Sequence, residues 1–169
     1  MSRLLRRSNK DWTSPMIRML CAAAFAAGLF VGAAGAAESS MGFSVDVTLS
    51  SVAAAELAAR REKIIVWAMW YGEPTEAAKS HADDMEQIDL GSEKVRLPES
   101  GGRAEVTGRK VAANRMGWIK GRAVQVLINV FSARLSGPNN LLNCTVFEDS
   151  LTAARQKPIA VGCKLISEP

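Results

Sequence analysis

Apolar and polar side chains alternate strictly over residues 43–50, "FSVDVTLS". Phe43, Val45, Val47 and Leu49 share one side, and Ser44, Asp46, Thr48 and Ser50 share the other. A period of two predicts a half-buried β-strand. Residues 51–62, "SVAAAELAARRE", lose the alternation, are rich in alanine and end in charge, which favours a short helix. Residues 63–71, "KIIVWAMWY", are apolar on both faces and rich in β-branched and aromatic side chains, as a central strand requires. Gly72-Glu73-Pro74 ends it. The polar stretch 75–87 reads as a short surface helix with Thr75 as its cap.

Residues 92–98 and 103–108 flank Glu99-Ser100-Gly101-Gly102 and predict a hairpin. Residues 110–121 fit either a helix or a loop. Over 122–134, Val124, Val126, Ile128, Val130 and Ser132 share one face of a strand, with Gln125, Leu127, Asn129 and Phe131 on the other. The turn cluster Ser136-Gly137-Pro138-Asn139-Asn140 leads into a strand over 143–148. A helical turn over 150–156 precedes Pro158, and "PIAVGCKLI" closes the pattern as a last strand. About seven short strands with turn signals between them predict a mainly-β domain, a two-sheet sandwich of immunoglobulin-like or transthyretin-like type with short helices. The alternative is an α+β domain in which 51–62 and 75–87 lie on one face of an antiparallel sheet.

Residues 1–37 stand outside this pattern. Arg3, Arg6, Arg7, Lys10 and Arg18 face only Asp11, and residues 19–37 carry no charge and end in small side chains. That is the form of a secretory signal, cleaved after Ala36 or Ala37. Membrane contact is then confined to the apolar segment 20–37, and only if it is retained. Residues 38–42 follow as a loose tail, and 43–169 as one domain of the periplasm or the exterior. The whole chain has 21 Lys and Arg against 17 Asp and Glu. Removing the leader takes five bases and one acid, so the remainder is neutral and offers no electrostatic footprint for nucleic acid. Cys144 and Cys163 remain as an even pair in an oxidising compartment, which predicts a disulfide.

The densest aromatic stretch is "WAMWYGEP", 67–74, with Trp67, Trp70 and the chain's single tyrosine, Tyr71. On a strand, Ile65, Trp67, Met69 and Tyr71 share one face, and Ile64, Val66, Ala68 and Trp70 the other. Only one face can meet a second sheet. The other needs a helix, a loop, a partner or a ligand, and 51–62 and 75–87 are the neighbouring covers. Trp67 is expected in the core, with Trp70 and Tyr71 at the strand's end as contact residues.

Charge is segregated. Residues 73–93 hold seven acids against Lys79, and residues 103–122 hold six bases against Glu105. Either Arg109, Lys110 and Arg115 offer a basic face to an anionic partner, or the two segments lie together and neutralise each other. The single histidine, His81, sits three residues before Asp84. The pair is a weak candidate for a metal or a general base, outweighed by a solvated acidic face because a metal needs ligands converging from more than one turn. No GxSxG, SxxK, HExxH, P-loop or GxGxxG pattern occurs, and no cofactor is implied. The sequence therefore favours an exported, non-catalytic binding protein that contacts a protein or an anionic envelope component. The alternatives are a small hydrolase or metal-dependent enzyme using His81, and a carrier for a small apolar ligand on the Trp70 face.

Overall fold

The computed structural model describes residues 41–169. The expected signal segment, 1–37, and the start of the expected tail, 38–40, lie outside them. Strand β1, Phe43–Leu49, buries Phe43, Val45 and Val47. Ser50 turns the chain into helix α1, Ser51–Arg60, and its hydroxyl accepts the Ala53 N–H at 3.0 Å, supplying one of the helix's orphan donors with an acceptor. Arg61, at φ 52°, closes the helix. The chain continues through β2 (Ile64–Gly72), β3 (Ile88–Leu97), β4 (Gly102–Val106), β5 (Gln125–Ser132), β6 (Leu142–Cys144), β7 (Phe147–Ser150), α2 (Leu151–Gln156) and β8 (Ile159–Leu165).

Two four-stranded sheets result, ordered β4-β1-β8-β6 and β3-β2-β5-β7. All pairs are antiparallel except β1 with β8. The inner positions of both sheets, among them Val45, Val47 and Val161 facing Val66, Trp70, Val126 and Ile128, form one apolar core. Helix α1 adds Ala53 and Leu57, lying against β1 and β8. This is the predicted two-sheet sandwich, with eight strands rather than seven. The extra one arises because "NCTVFE" does not stay in one sheet. Cys144 ends β6 in the first sheet, and Phe147 opens β7 in the second.

The expected hairpin at 99–102 is corrected in the same way. β3 and β4 belong to different sheets, and β4 pairs with β1. Gly101 makes the crossing, at φ +76°, with a Cβ there falling 2.6 Å from the Val47 carbonyl oxygen. Only glycine tolerates both the angle and the approach. The expected surface helix over 75–87 shrinks to a 3-10 turn, Glu76–His81, and the Thr75 side chain does not cap it. Asp83 is the reason. Its carboxylate accepts the N–H groups of Met85 and Gln87 at 2.9 and 3.0 Å, drawing the backbone into a turn that competes with helix. Residues 110–121 are mostly loop, with 3-10 turns at Ala113–Arg115 and Lys120–Arg122.

The described end of the expected loose tail is tied down. The Met41 carbonyl accepts Trp70 Nε1–H at 3.2 Å, and Gly108 presses against it so closely that a Cβ would lie 2.5 Å away. Cys144 and Cys163 are register partners on β6 and β8 and form the predicted disulfide. Thiol titration of the native protein is expected to find neither of them free, and two free thiols at these positions would exclude the bridge.

Candidate functional site

Strand β2 lies between β3 and β5, so both its edges are satisfied and only its faces are at issue. Ile64, Val66, Ala68, Trp70 and Gly72 are buried against the other sheet, while Ile65, Trp67, Met69 and Tyr71 are half-buried on the outside. This reverses the expectation for the two tryptophans. Trp70 is 0% exposed, stands 5.9 Å from the Phe43 ring, and is a core residue rather than a contact residue. Ala68 and Gly72 are its inward neighbours on β2, and the space beside Gly72 is filled by Ile119, whose side chain would lie 2.9 Å from a Cβ there. The face of β2 that carries Trp70 packs against the other sheet as part of the core.

The outer faces of the two sheets differ in kind. On β4-β1-β8-β6 the outward positions are polar or small, and four of them pair among themselves. The Ser44 hydroxyl donates to Glu105 at 2.8 Å, and Arg103 donates twice to Asp46 at 2.7 and 2.9 Å, which holds the Asp46 carboxyl below its usual range. On β3-β2-β5-β7 the register sets Ile65 beside Phe131, Trp67 beside Asn129, and Met69 beside Leu127. Five of these six outward side chains are large and apolar. Neither expected cover crosses them: α1 packs on β1 and β8, and the turn at Glu76–His81 stacks His81 flat on Trp118 at 4.3 Å. The band has charged margins. Lys94 and Arg96 of β3 stand beside Trp67 and Ile65, and Glu148 of β7 stands beside Leu127. Lys94 Nζ lies 5.1 Å from the Trp67 ring centre, a cation–π contact. The Trp67 Nε1–H is buried and has no acceptor among the described residues.

Tyr71 closes one end of the band. Its hydroxyl donates to Glu148 Oε1 at 2.5 Å. Burial, and then the carboxylate that receives its proton, push the phenol up to about 12 from 10.0. Tyr71 is the chain's single tyrosine, so phenolate absorbance reads it alone. A titration midpoint near 12 is expected, falling towards 10 in Glu148→Gln. A midpoint that does not fall in Glu148→Gln would mean the bond is not formed, since burial alone then accounts for the shift.

The two charged segments lie together and pair in part. Arg115 donates to the Asp89 carbonyl at 2.7 Å and lies 3.7 Å from its carboxylate, and Lys120 lies 3.8 Å from Glu73. Backbone bonds from Ala112 N to Leu90 O and from Thr75 N to Trp118 O join the two segments. Arg109 and Lys110 are exposed and make no ion pair among the described residues, but Arg115, expected beside them as a contact, is engaged within the fold. His81 is exposed and stacks on the Trp118 ring, and among the described residues it makes no hydrogen bond to Asp84. Among the described residues, no three His, Cys, Asp or Glu side chains stand close enough to hold a metal ion.

Of the expected contact residues, then, Tyr71 alone belongs to the outer band. Lys94, Leu127, Asn129, Phe131 and Glu148 complete it and were not singled out by sequence. No family model matches the chain, and no curated protein or solved structure is similar to it.

Proposed function

We propose that the protein is a small exported interaction protein of the cell envelope. It performs no chemistry of its own and binds a protein partner through the outer face of β3-β2-β5-β7. The observation that carries this reading is the contrast between the two outer faces. One is polar or small, and four of its side chains pair among themselves. The other presents Ile65, Trp67, Met69, Leu127 and Phe131 with no helix across them among the described residues. Solvent does not reward such a band, and contiguous apolar patches on a small domain mark association sites. A flat sheet face suits a protein surface better than a small molecule, which binds in a concave pocket. Export is supported by the leader pattern and by the disulfide, a bond favoured outside the reducing cytosol.

A photo-crosslinking residue placed at position 67 in living cells tests the surface, with the same residue at position 48 on the polar face as control. Discrete protein adducts are expected from 67 and not from 48. No adduct from 67, or equal yields from both, would overturn the assignment. Terminal sequencing of the envelope-derived protein is expected to begin after Ala36 or Ala37, whereas an intact Met1 in the cytosol would remove the export reading.

A further inference from the structure

We infer that the occupant of this outer face is a second copy of the same chain, in a two-fold dimer whose axis runs parallel to β2 and β5. The inference rests on the reading of that face as an interaction surface and supplies its partner.

The charge layout selects this arrangement. Across the face the order is cationic at β3 (Lys94 and Arg96, with Asp89 farther along the strand already paired to Arg115), apolar along β2 and β5, and anionic at β7 (Glu148). Lys94 and Arg96 make no ion pair within the described chain. A half-turn about an axis along the strands turns the sheet over and exchanges its left and right edges. It therefore lays β3 of each copy over β7 of the other, and β2 over β5. A two-fold axis running across the strands would instead stack β3 on β3 and β7 on β7, facing like charges. Opposite charges across an interface fix register and exclude the wrong docking.

The polar centre points the same way. An axis along the strands keeps each residue at its own height, so Trp67 of one copy faces Asn129 of the other, because these two are register partners. Trp67 Nε1–H is buried with no acceptor among the described residues. Asn129 is exposed, and its side chain makes no hydrogen bond among the described residues. A buried donor left unpaired is destabilising, and the second copy brings an amide oxygen to the same site once Lys94 swings from the indole diagonally towards Glu148, which stands two residues along, at the height of Ser92.

The area sets the strength. Four strands about 4.8 Å apart and about eight residues long at about 3.4 Å each give roughly 500 Å² per copy. The total of about 1,000 Å² is the lower limit for a specific interface, so the dimer is expected to be weak and reversible.

Sedimentation equilibrium on the full protein purified from the cells that make it, between 1 μM and 1 mM, tests this. The mass is expected to rise from one chain to two. Trp67→Asp should hold it at one chain throughout. Because that change sits at the centre of the band, a second set uses only the margins: Lys94→Glu should raise the midpoint at least ~10-fold, and Lys94→Glu combined with Glu148→Lys should restore it to within ~3-fold. A single chain at 1 mM overturns the dimer. So does a dimer unaffected by Trp67→Asp, or a charge swap that fails to recover. A protein that stays monomeric yet still gives adducts only from position 67 would sink the dimer and leave the interaction surface standing.

Discussion

Trp70→Ala is expected to destabilise the protein by about 3–5 kcal/mol, the range for removing a large aromatic side chain from a packed core. Trp70 is the largest of the fully buried side chains and is 0% exposed. It touches Phe43 of the facing sheet and, through its indole N–H, holds the Met41 carbonyl. Truncation opens a cavity between two sheets whose strands cannot collapse into it without breaking ladder bonds, and it also frees the entry to β1. Total stability for a domain of this size is only about 5–15 kcal/mol, so the melting point should fall on the order of 10–20 °C. Trp67→Ala, three residues away on the opposite face, should change stability by about 1 kcal/mol or less, since its ring is half-buried and its N–H has nothing to lose. Urea unfolding of both variants, read at an unchanged m-value, checks the order. If Trp67→Ala proves the more damaging of the two, the assignment of faces on β2 is wrong.

That assignment is also where sequence reasoning reached its limit. Strict alternation over 43–50 placed β1 and its buried side correctly because one side is polar, and residues 122–134 yielded β5 with its inner set, Val126, Ile128 and Val130, for a related reason. On 63–71 both faces are apolar, so period two identifies a strand without saying which way it faces. The missing information lies on neighbouring strands. Lys94 and Arg96 on β3 must share the outer face with whichever β2 residues they adjoin, and the register pairs them with Trp67 and Ile65. Register is a long-range property, here shifted by an irregularity at Trp70/Tyr71, where Gly91 takes φ +120°. The same limit hid the sheet changes at Gly101-Gly102 and at Thr145-Val146. Local turn chemistry gives a reversal in either case, and only the packing of the second sheet decides whether the reversal is a hairpin or a crossing. The charge blocks were legible as blocks. Their partial pairing depends on a loop, 107–122, whose path is set by contacts with β3 and by the Pro74–Ile119 bridge.

Replacing Glu62 should produce the second large effect, and one with a distinctive pH dependence. Glu62 follows the left-handed residue that ends α1, and it is 0% exposed. Burial alone would raise its pKa. Instead its carboxylate accepts the Ser136 hydroxyl and N–H at 2.6 and 2.7 Å, the Leu135 N–H at 3.1 Å and the Lys63 N–H at 3.0 Å, and these donors hold it at about 2 against an ordinary 4.5. It thus ties the end of α1 to the loop that leaves β5, where no backbone ladder could satisfy those N–H groups. A carboxyl whose folded pKa is depressed adds stability above its unfolded pKa and loses it as pH falls through the folded one. The difference between the two values corresponds to about 3 kcal/mol. Glu62→Gln keeps the shape but brings an amide NH₂ among donors and removes the charge. It should therefore be less stable than the unaltered protein by about 3 kcal/mol near pH 6. Below pH 4.5 the gap should narrow, and near pH 2 it should almost close, as the native carboxyl itself takes up a proton. Because every other carboxylate is common to both proteins, their titration cancels in the comparison. Urea unfolding of the pair at pH 6, 4, 3 and 2 would read that narrowing, and a gap that stays constant across the series would show that the Glu62 charge is not what secures the loop.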